Sequence, residues 1–251
     1  MSDVKAGGTT PLQAVLERDR LITIICLLAV MVFSWAYLVD GAGMDMAPSG
    51  PASRAVMLLA MWWIMMVAMM LPSAAPMILL FALLNRKHPE GSFQATVAFA
   101  LAYMVAWGGF SLAATAAQWG LAEAGLLSPA MASTGTMLGA ALLIAAGVWQ
   151  LTPLKHACLR HCRSPVMFFA LSWRPGVGGA FRMGAHHGLF CLGCCWVLMV
   201  LLFYGGVMNL WWIAGLAAYV LVEKIAPAGH WIGRGTGVLL IAWGGWVLAG
   251  V

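Results

Sequence analysis

Thiol and imidazole side chains are concentrated in one apolar stretch of the sequence. Three cysteines lie within five residues, and a histidine pair lies about one helical turn before them: His186, His187, Cys191, Cys194 and Cys195. On a helix, His187, Cys191 and Cys194 occupy positions i, i+4 and i+7 and share one face, which Cys195 flanks. Thiolates and imidazoles together bind Zn(II), Cu(I) or an iron–sulfur centre. Cysteine also packs as a small hydrophobe, but this grouping favours a metal or redox role.

A second cluster of the same residue types precedes that stretch. It consists of His156, Cys158, His161 and Cys162. In a reducing cytoplasm, clustered thiols bind metal or act in redox chemistry more often than they form disulfides. A basic loop with incidental thiols explains this pattern equally well, so both interpretations stay open.

Methionine is concentrated in another apolar stretch. Seven methionines lie within 21 residues: Met57, Met61, Met65, Met66, Met69, Met70 and Met77. A ladder of thioethers down a helix can pass Cu(I), because soft sulfur favours soft cations. Methionine is also an adaptable packing residue, and the two interpretations are evenly balanced. The metal interpretation takes Met66, Met69, Met70 and Met77 as ligands or as the wall of a path.

Two prolines interrupt the methionine-rich stretch. Pro72 and Pro76 each lack a backbone N–H, which frees the carbonyl groups of Ala68 and Pro72. A packing kink is one consequence. Broken helices at membrane depth also recur at transport and binding sites, so the prolines are compatible with an ion path.

The composition places these stretches in a membrane. Of the 251 residues, 63% are hydrophobic and 8% are charged, against about 25% charged in soluble domains. The mean hydropathy is +0.92. These values exclude a water-soluble globule, a disordered chain and a collagen. The excess of 13 Lys and Arg over 8 Asp and Glu is too dispersed for nucleic-acid binding.

The apolar stretches predict an all-α transmembrane bundle of about seven spans. A helix needs about 20 apolar residues to cross the hydrocarbon core. The whole chain, 1–251, then forms one integral membrane domain with no soluble domain. A six-span alternative stays open, because the sixth stretch is short and borders Glu223. The predicted spans are 21–39, 55–84, 95–117, 130–151, 183–204, 207–222 and 231–251.

Basic residues are concentrated in alternate connections between these spans. They precede the first span, follow the second, fill the loop 152–181 and follow the sixth. Because positive loops are retained inside, this pattern predicts a cytoplasmic N-terminus and a cytoplasmic loop 152–181.

Motifs of several enzyme classes are absent from the sequence. It contains no Gly-x-x-x-x-Gly-Lys phosphate loop and no Gly-x-Ser-x-Gly nucleophile elbow. Glu123 falls in a loop and Glu223 at a span end, so no acid–base pair is expected within a span, which argues against a proton-relay pump. Soft-ligand chemistry remains, and the sequence points away from an enzyme.

Two blocks of the sequence resemble the signature stretches of a membrane family. They are Met61–Ser73 (MWWIMMVAMMLPS) and His187–Met199 (HGLFCLGCCWVLM). The chain resembles the prokaryotic family catalogued as domain of unknown function 2182, whose members are described as predicted metal-binding integral membrane proteins. The resemblance covers most of the chain and implies a membrane location and a metal, without a reaction. Together with the charge pattern, it predicts a multi-pass protein of the bacterial inner membrane.

Three function hypotheses follow. In the first, the protein binds a soft transition metal, Cu(I) in preference to Zn(II), and transports it or exchanges it with a metallochaperone or a copper-enzyme client. In the second, it is a membrane thiol–disulfide oxidoreductase that cycles Cys191 with Cys194 or Cys195. In the third, it is a scaffolding subunit whose sulfur residues only pack. The methionine ladder favours the first, since thiol exchange does not need it, and a homo-oligomer stays open.

Overall fold

The protein folds as a bundle of α-helices, as its composition predicted. The structure is a computed structural model that describes residues 11–43, 49–85, 92–128 and 131–250. Those ranges contain no β-strand, only an isolated bridge between Leu127 and Ser133. The helices are α1 Pro11–Val39, α2 Pro51–Asn85, α3 Ser92–Glu123, α4 Thr136–Leu151, α5 Pro153–Arg163, α6 Pro165–Ser172, α7 Gly176–Val200, α8 Leu202–Gly205, α9 Leu210–Ile225 and α10 Gly229–Ala249.

Five helical segments in the described ranges are long and apolar enough to cross a membrane, or six if a bent pair counts as one span. The six-span alternative agrees with this count, and the seven-span layout exceeds it. The difference arises at α4 and α9, which have 16 residues each. Sixteen residues rise about 24 Å, less than the roughly 30 Å of a hydrocarbon core. The five segments are Arg20–Val39, Pro51–Asn85, Ser92–Glu123, Gly176–Gly205 and Gly229–Ala249.

The connection 152–181, expected to be a polar loop, is largely helical. The Thr152 side chain accepts a hydrogen bond from the Lys155 backbone N–H, and Pro153 occupies the first turn, so α5 begins with a favourable cap. Pro165 likewise occupies the first turn of α6. The axis turns by 65° between α4 and α5. As a result, α5 packs against α7 and α9 inside the bundle.

Helices α3 and α7 approach each other closely, and this contact positions the thiols. A Cβ atom at Gly184 would overlap the backbone carbonyl of Phe99. A Cβ atom at Gly188 would lie 2.7 Å from the Cβ of Ala106. Small residues at such positions let helix backbones meet without a side chain between them. The α7 face that carries the cysteines is therefore held directly against Tyr103 of α3.

The basic residues behind the predicted orientation are only partly within the described ranges. Lys5, Arg86 and Lys87 lie outside them. The cytoplasmic N-terminus therefore stays a prediction from the charge pattern.

Candidate metal centre

Sulfur atoms from α2 and α7 meet in the core of the bundle. Cys191, Cys194 and Cys195 are at most 1% exposed, and Met70 of α2 is fully buried. The Cys195 Sγ atom lies 3.8 Å from the Met70 Sδ atom. The thiols of Cys194 and Cys195 donate hydrogen bonds to the Cys191 carbonyl, at 3.0 and 2.9 Å. The thiol cluster and the methionine-rich helix, predicted separately, thus contribute to one site.

A buried lysine lies beside the thiols. The Nζ atom of Lys224, on α9, is 3.0 Å from the Cys191 Sγ atom and donates a hydrogen bond to the Ser73 hydroxyl at 2.9 Å. An ammonium group out of water costs several kcal/mol unless an opposite charge is close. The thiolate form of Cys191 supplies that charge. In the sequence, Lys224 is one of the basic residues that predict the topology, although an ionisable residue bordering an apolar stretch is itself a signal of function.

Tyr103 of α3 completes the surroundings of Cys191. Its hydroxyl lies 3.1 Å from the Cys191 Sγ atom and donates to the Met70 carbonyl at 3.2 Å. The Ser73 hydroxyl donates to the same carbonyl at 2.9 Å. Helix α2 continues through both of its prolines. Polar groups from α2, α3 and α9 therefore gather where α2 lacks part of its usual hydrogen-bond ladder.

The two adjacent histidines of α7 point in different directions. His187 is 4% exposed, and its ring stacks on Tyr103 with centroids 5.5 Å apart. Its Nδ1 atom is buried without a hydrogen-bond partner among the described residues, so a ring nitrogen is available close to the cysteines. His186 is exposed and packs on Phe168 and Phe190. Consecutive helical positions diverge by about 100°, so the two rings do not share a site.

The second predicted cluster divides between two locations. Cys158 and Cys162 lie four residues apart on α5 and face α7. The Cys162 thiol lies near the thiols of Cys191 and Cys194, and a Cβ atom at Gly193 would lie 2.8 Å from the Cys158 Sγ atom. All six cysteines of the chain are free thiols. The cysteines of both clusters therefore form one group.

The histidines of the second cluster do not join that group. His161 is exposed and stacks on Phe190, with ring centroids 4.1 Å apart. His156 lines a cleft at the end of α5, beside Arg160 and Arg234. Once α5 is a helix, these positions face away from the cysteines, which the spacing alone did not reveal.

The other candidate methionines line the inward face of α2. Met66, Met69 and Met77 are at most 3% exposed, like Met70. Burial suits both a packing role and a path for a cation. Their role as ligands therefore stays a prediction, and Met70 is the one whose sulfur meets a thiol among the described contacts.

An acid–base pair lies buried a short distance from the thiols. The Lys155 Nζ atom of α5 is 2.6 Å from a carboxylate oxygen of Glu223 on α9, and both side chains are at most 1% exposed. The Tyr219 hydroxyl donates to the same carboxylate at 3.4 Å and accepts from the Gln150 amide at 2.6 Å. The sequence predicts no acid–base pair within a single span, and this pair is of a different kind, because its members lie on different helices.

Comparison with known proteins decides the family. A family model described as PpoB2, copper chaperone, matches residues 59–247. The chain belongs to this copper chaperone family. The matched residues include the methionines of α2 from Met61 onwards, both cysteine groups and Lys224. No curated protein and no solved structure matches the chain.

The donor atoms of this copper chaperone family member meet in pairs. In the part of the chain that the structure describes, no group of three or more His, Cys, Asp or Glu side chains is close enough to hold a metal ion. A thioether and a thiol do meet, at Met70 and Cys195. The site thus consists of a few soft sulfur atoms beside the buried ammonium group of Lys224. It is not a closed cage of four ligands.

Proposed function

We propose that this chain is a membrane-spanning copper chaperone that holds Cu(I) between the Met70 thioether and the thiolates of Cys191 and Cys195. The observation that carries the proposal is the 3.8 Å separation of the Met70 and Cys195 sulfur atoms in a buried site. Thioether and thiolate are the soft ligands that select Cu(I). His187, with its unpartnered Nδ1 atom, is a further ligand within one turn of Cys191. Membership of a copper chaperone family supports the choice of metal.

The charges around the site favour a monovalent cation. Lys224 and one thiolate at Cys191 balance each other before metal enters. If Cu(I) enters and Cys195 releases its proton, the buried site stays neutral overall. Zn(II) would require a further deprotonation and four ligands in a tetrahedron. Because uncompensated charge is costly in a dry interior, the site suits Cu(I) better than Zn(II).

A route to the buried site begins on the outer face of α5 and α7. The exposed ring of His161 stacks on Phe190, and that of His186 packs against Phe190 at a tilt. The Cys162 thiol lies next along α5, near the Cys191 thiol. In the predicted topology this face is cytoplasmic, so a cytoplasmic metallochaperone would load it. The client would be a copper enzyme under assembly.

We expect wild-type protein to retain near-stoichiometric copper and the Cys191→Ser/Cys195→Ser variant to lose it. The measurement is copper content by mass spectrometry after purification in mild detergent under reducing, anaerobic conditions with Cu(I) supplied. Cys26→Ser is the matched control, because Cys26 is an exposed cysteine on α1. Its copper content should equal that of wild type. Wild-type protein that retains no copper would refute the proposal.

A second candidate function is thiol–disulfide exchange, which the position of Cys162 near Cys191 favours. Two thiols on different helices approach each other more freely than neighbours on one helix, whose disulfide requires distortion. Oxidation would join the two sulfur atoms and pass two electrons and two protons to a quinone or a partner disulfide. Lys224 would favour the attacking thiolate of Cys191.

A substitution at Met70 distinguishes copper binding from thiol–disulfide exchange. We expect Met70→Leu to weaken Cu(I) binding about tenfold, since one soft ligand is lost while volume and apolarity are kept. Competition with a Cu(I) chelator measures the affinity. Met61→Leu is the control, because Met61 is equally buried on α2 and lies more than two turns away. Thiol exchange would be unaffected by either change, so equal copper affinities combined with reversible thiol oxidation would favour the second function.

A further inference from the structure

A cleft at one end of the bundle is lined by basic side chains. It lies between α5 and the first turns of α10, and its volume is about 580 Å³. This is within the range of small-ligand pockets. We call it the basic cleft. Its lining residues are Pro153, His156, Leu159, Arg160, Arg163, Ser164, His230 and Arg234.

The chain provides no counter-charge for the basic cleft among the residues that line it. From residue 124 to residue 251 the sequence has seven Lys and Arg but a single acid, Glu223. That carboxylate is buried against Lys155, at 2.6 Å. The three arginines of the cleft therefore lack an acidic neighbour in their own half of the chain. An anion from outside the chain would balance them.

Several groups of the basic cleft are already oriented. The Arg163 guanidinium donates to the carbonyl groups of Ala226 and Pro227, which fixes it at the cleft wall. The His156 Nε2 atom is buried with no partner in the described ranges. Arg160 and Arg234 are exposed, and the Arg234 guanidinium lies over the Trp231 ring, 5.2 Å from its centroid. The positive end of the α10 dipole adds to the same potential.

We propose that the basic cleft binds a phosphate group, carried either by an anionic phospholipid or by free inorganic phosphate. Guanidinium groups pair with phosphate oxygens in a bidentate manner, which suits two exposed arginines beside one fixed arginine. Basic pockets between helices at the cytoplasmic side of membrane proteins bind anionic headgroups for the same reason. The binding of copper at the thiols does not depend on this site.

The test measures phosphate-group binding by the full-length protein in neutral detergent. Inorganic phosphate is titrated by calorimetry against chloride of equal ionic strength, and retained phosphatidylglycerol is counted by native mass spectrometry. The Arg160→Gln/Arg234→Gln variant should bind about tenfold more weakly or worse, because two charge-assisted contacts are lost. Arg174→Gln/Arg182→Gln is the control, since it removes two exposed arginines that do not line the cleft.

The outcomes separate the two sources of phosphate. Retention of phosphatidylglycerol alone, lost in the cleft variant and kept in the control, identifies a lipid headgroup. Binding of inorganic phosphate that is likewise lost in the cleft variant and kept in the control identifies free phosphate. Equal loss in both variants, or no binding by wild type, overturns the proposal. If the double variant unfolds at a lower temperature than the control, Arg234→Gln alone replaces it.

Discussion

Replacing Glu223 with glutamine is expected to destabilise the bundle by about 3–5 kcal/mol, the usual cost of removing one partner from a buried ion pair. The Lys155 Nζ atom is 2.6 Å from the Glu223 carboxylate, and the lysine has no exposed surface. Glutamine keeps the size of the side chain but leaves the ammonium uncompensated. Gly233 of α10 packs directly on the carboxylate, since a Cβ atom there would lie 2.5 Å from the Glu223 Oε1 atom. Little room is therefore left for water.

The measurement is thermal unfolding in detergent, followed by tryptophan fluorescence. For a chain of this size each kcal/mol lowers the unfolding temperature by roughly 2–4 °C, so a fall of about 6–20 °C is expected. Glu123→Gln is the matched control, because Glu123 forms an exposed pair with Arg54 at 3.8 Å. Such pairs contribute about 0–1 kcal/mol. Equal unfolding temperatures for the two variants would contradict the assignment of a stabilising buried pair.

A double substitution tests whether the unpaired charge of Lys155 causes the loss of stability in Glu223→Gln. Lys155→Met/Glu223→Gln removes the ammonium together with the carboxylate. Replacing both members of a buried pair is often nearly neutral, so this variant should recover most of the lost unfolding temperature. A double variant as unstable as Glu223→Gln would indicate that hydrogen bonds to Glu223, such as that from Tyr219, carry the stabilisation.

The parts of the site that follow from helical periodicity could be predicted from the sequence. The spacing of His187, Cys191 and Cys194 fixes which side chains share a face, because that relation is local to one helix. The structure buries these three residues together. The divergence of His186 follows from the same geometry.

Features that depend on two helices could not be predicted in this way. Hydropathy treats a charged residue as the end of a span, so the sequence predicts a boundary at Glu223 and Lys224. Each is buried by a partner from another helix: Lys155 for the first and Cys191 for the second. The contact of Tyr103 with Cys191 likewise depends on the close approach of α3 and α7 at Gly184. A single sequence contains no direct signal of such pairings.

The helices of the connection before α7 were not predicted for a different reason. Its Lys and Arg content predicts a cytoplasmic connection but not its secondary structure, whereas Thr152 and Pro153 are a helix-starting signal. Reading α5 as a helix would have placed Cys158 and Cys162 on one face, as they are observed. The position of Cys162 near Cys191 would still have required the 65° turn between α4 and α5.

Replacing Lys224 with methionine is expected to weaken Cu(I) binding about 10–100-fold, as loss of a neighbour that supports a metal ligand commonly does. Without the ammonium 3.0 Å from its sulfur, a thiolate at Cys191 has no counter-charge. A copper site with two thiolates would then carry a net negative charge in a dry interior. Competition with a Cu(I) chelator measures the affinity. Arg182→Met is the control, because it removes an exposed cation from α7.

Stability and copper affinity should separate in the Lys224→Met variant. Methionine fills a similar volume, and Cys191 can then take up a proton and become a neutral thiol. No buried charge is left unpaired, so the metal-free protein should unfold at an unchanged or higher temperature. A purely structural role for Lys224 would instead lower the unfolding temperature and leave the copper affinity of the folded fraction intact. Unchanged affinity would mean that Cys191 does not bind the metal as a thiolate balanced by this lysine. Cu(I) would then be bound by Met70 and Cys195, whose sulfur atoms are 3.8 Å apart and which together need no charge from Lys224.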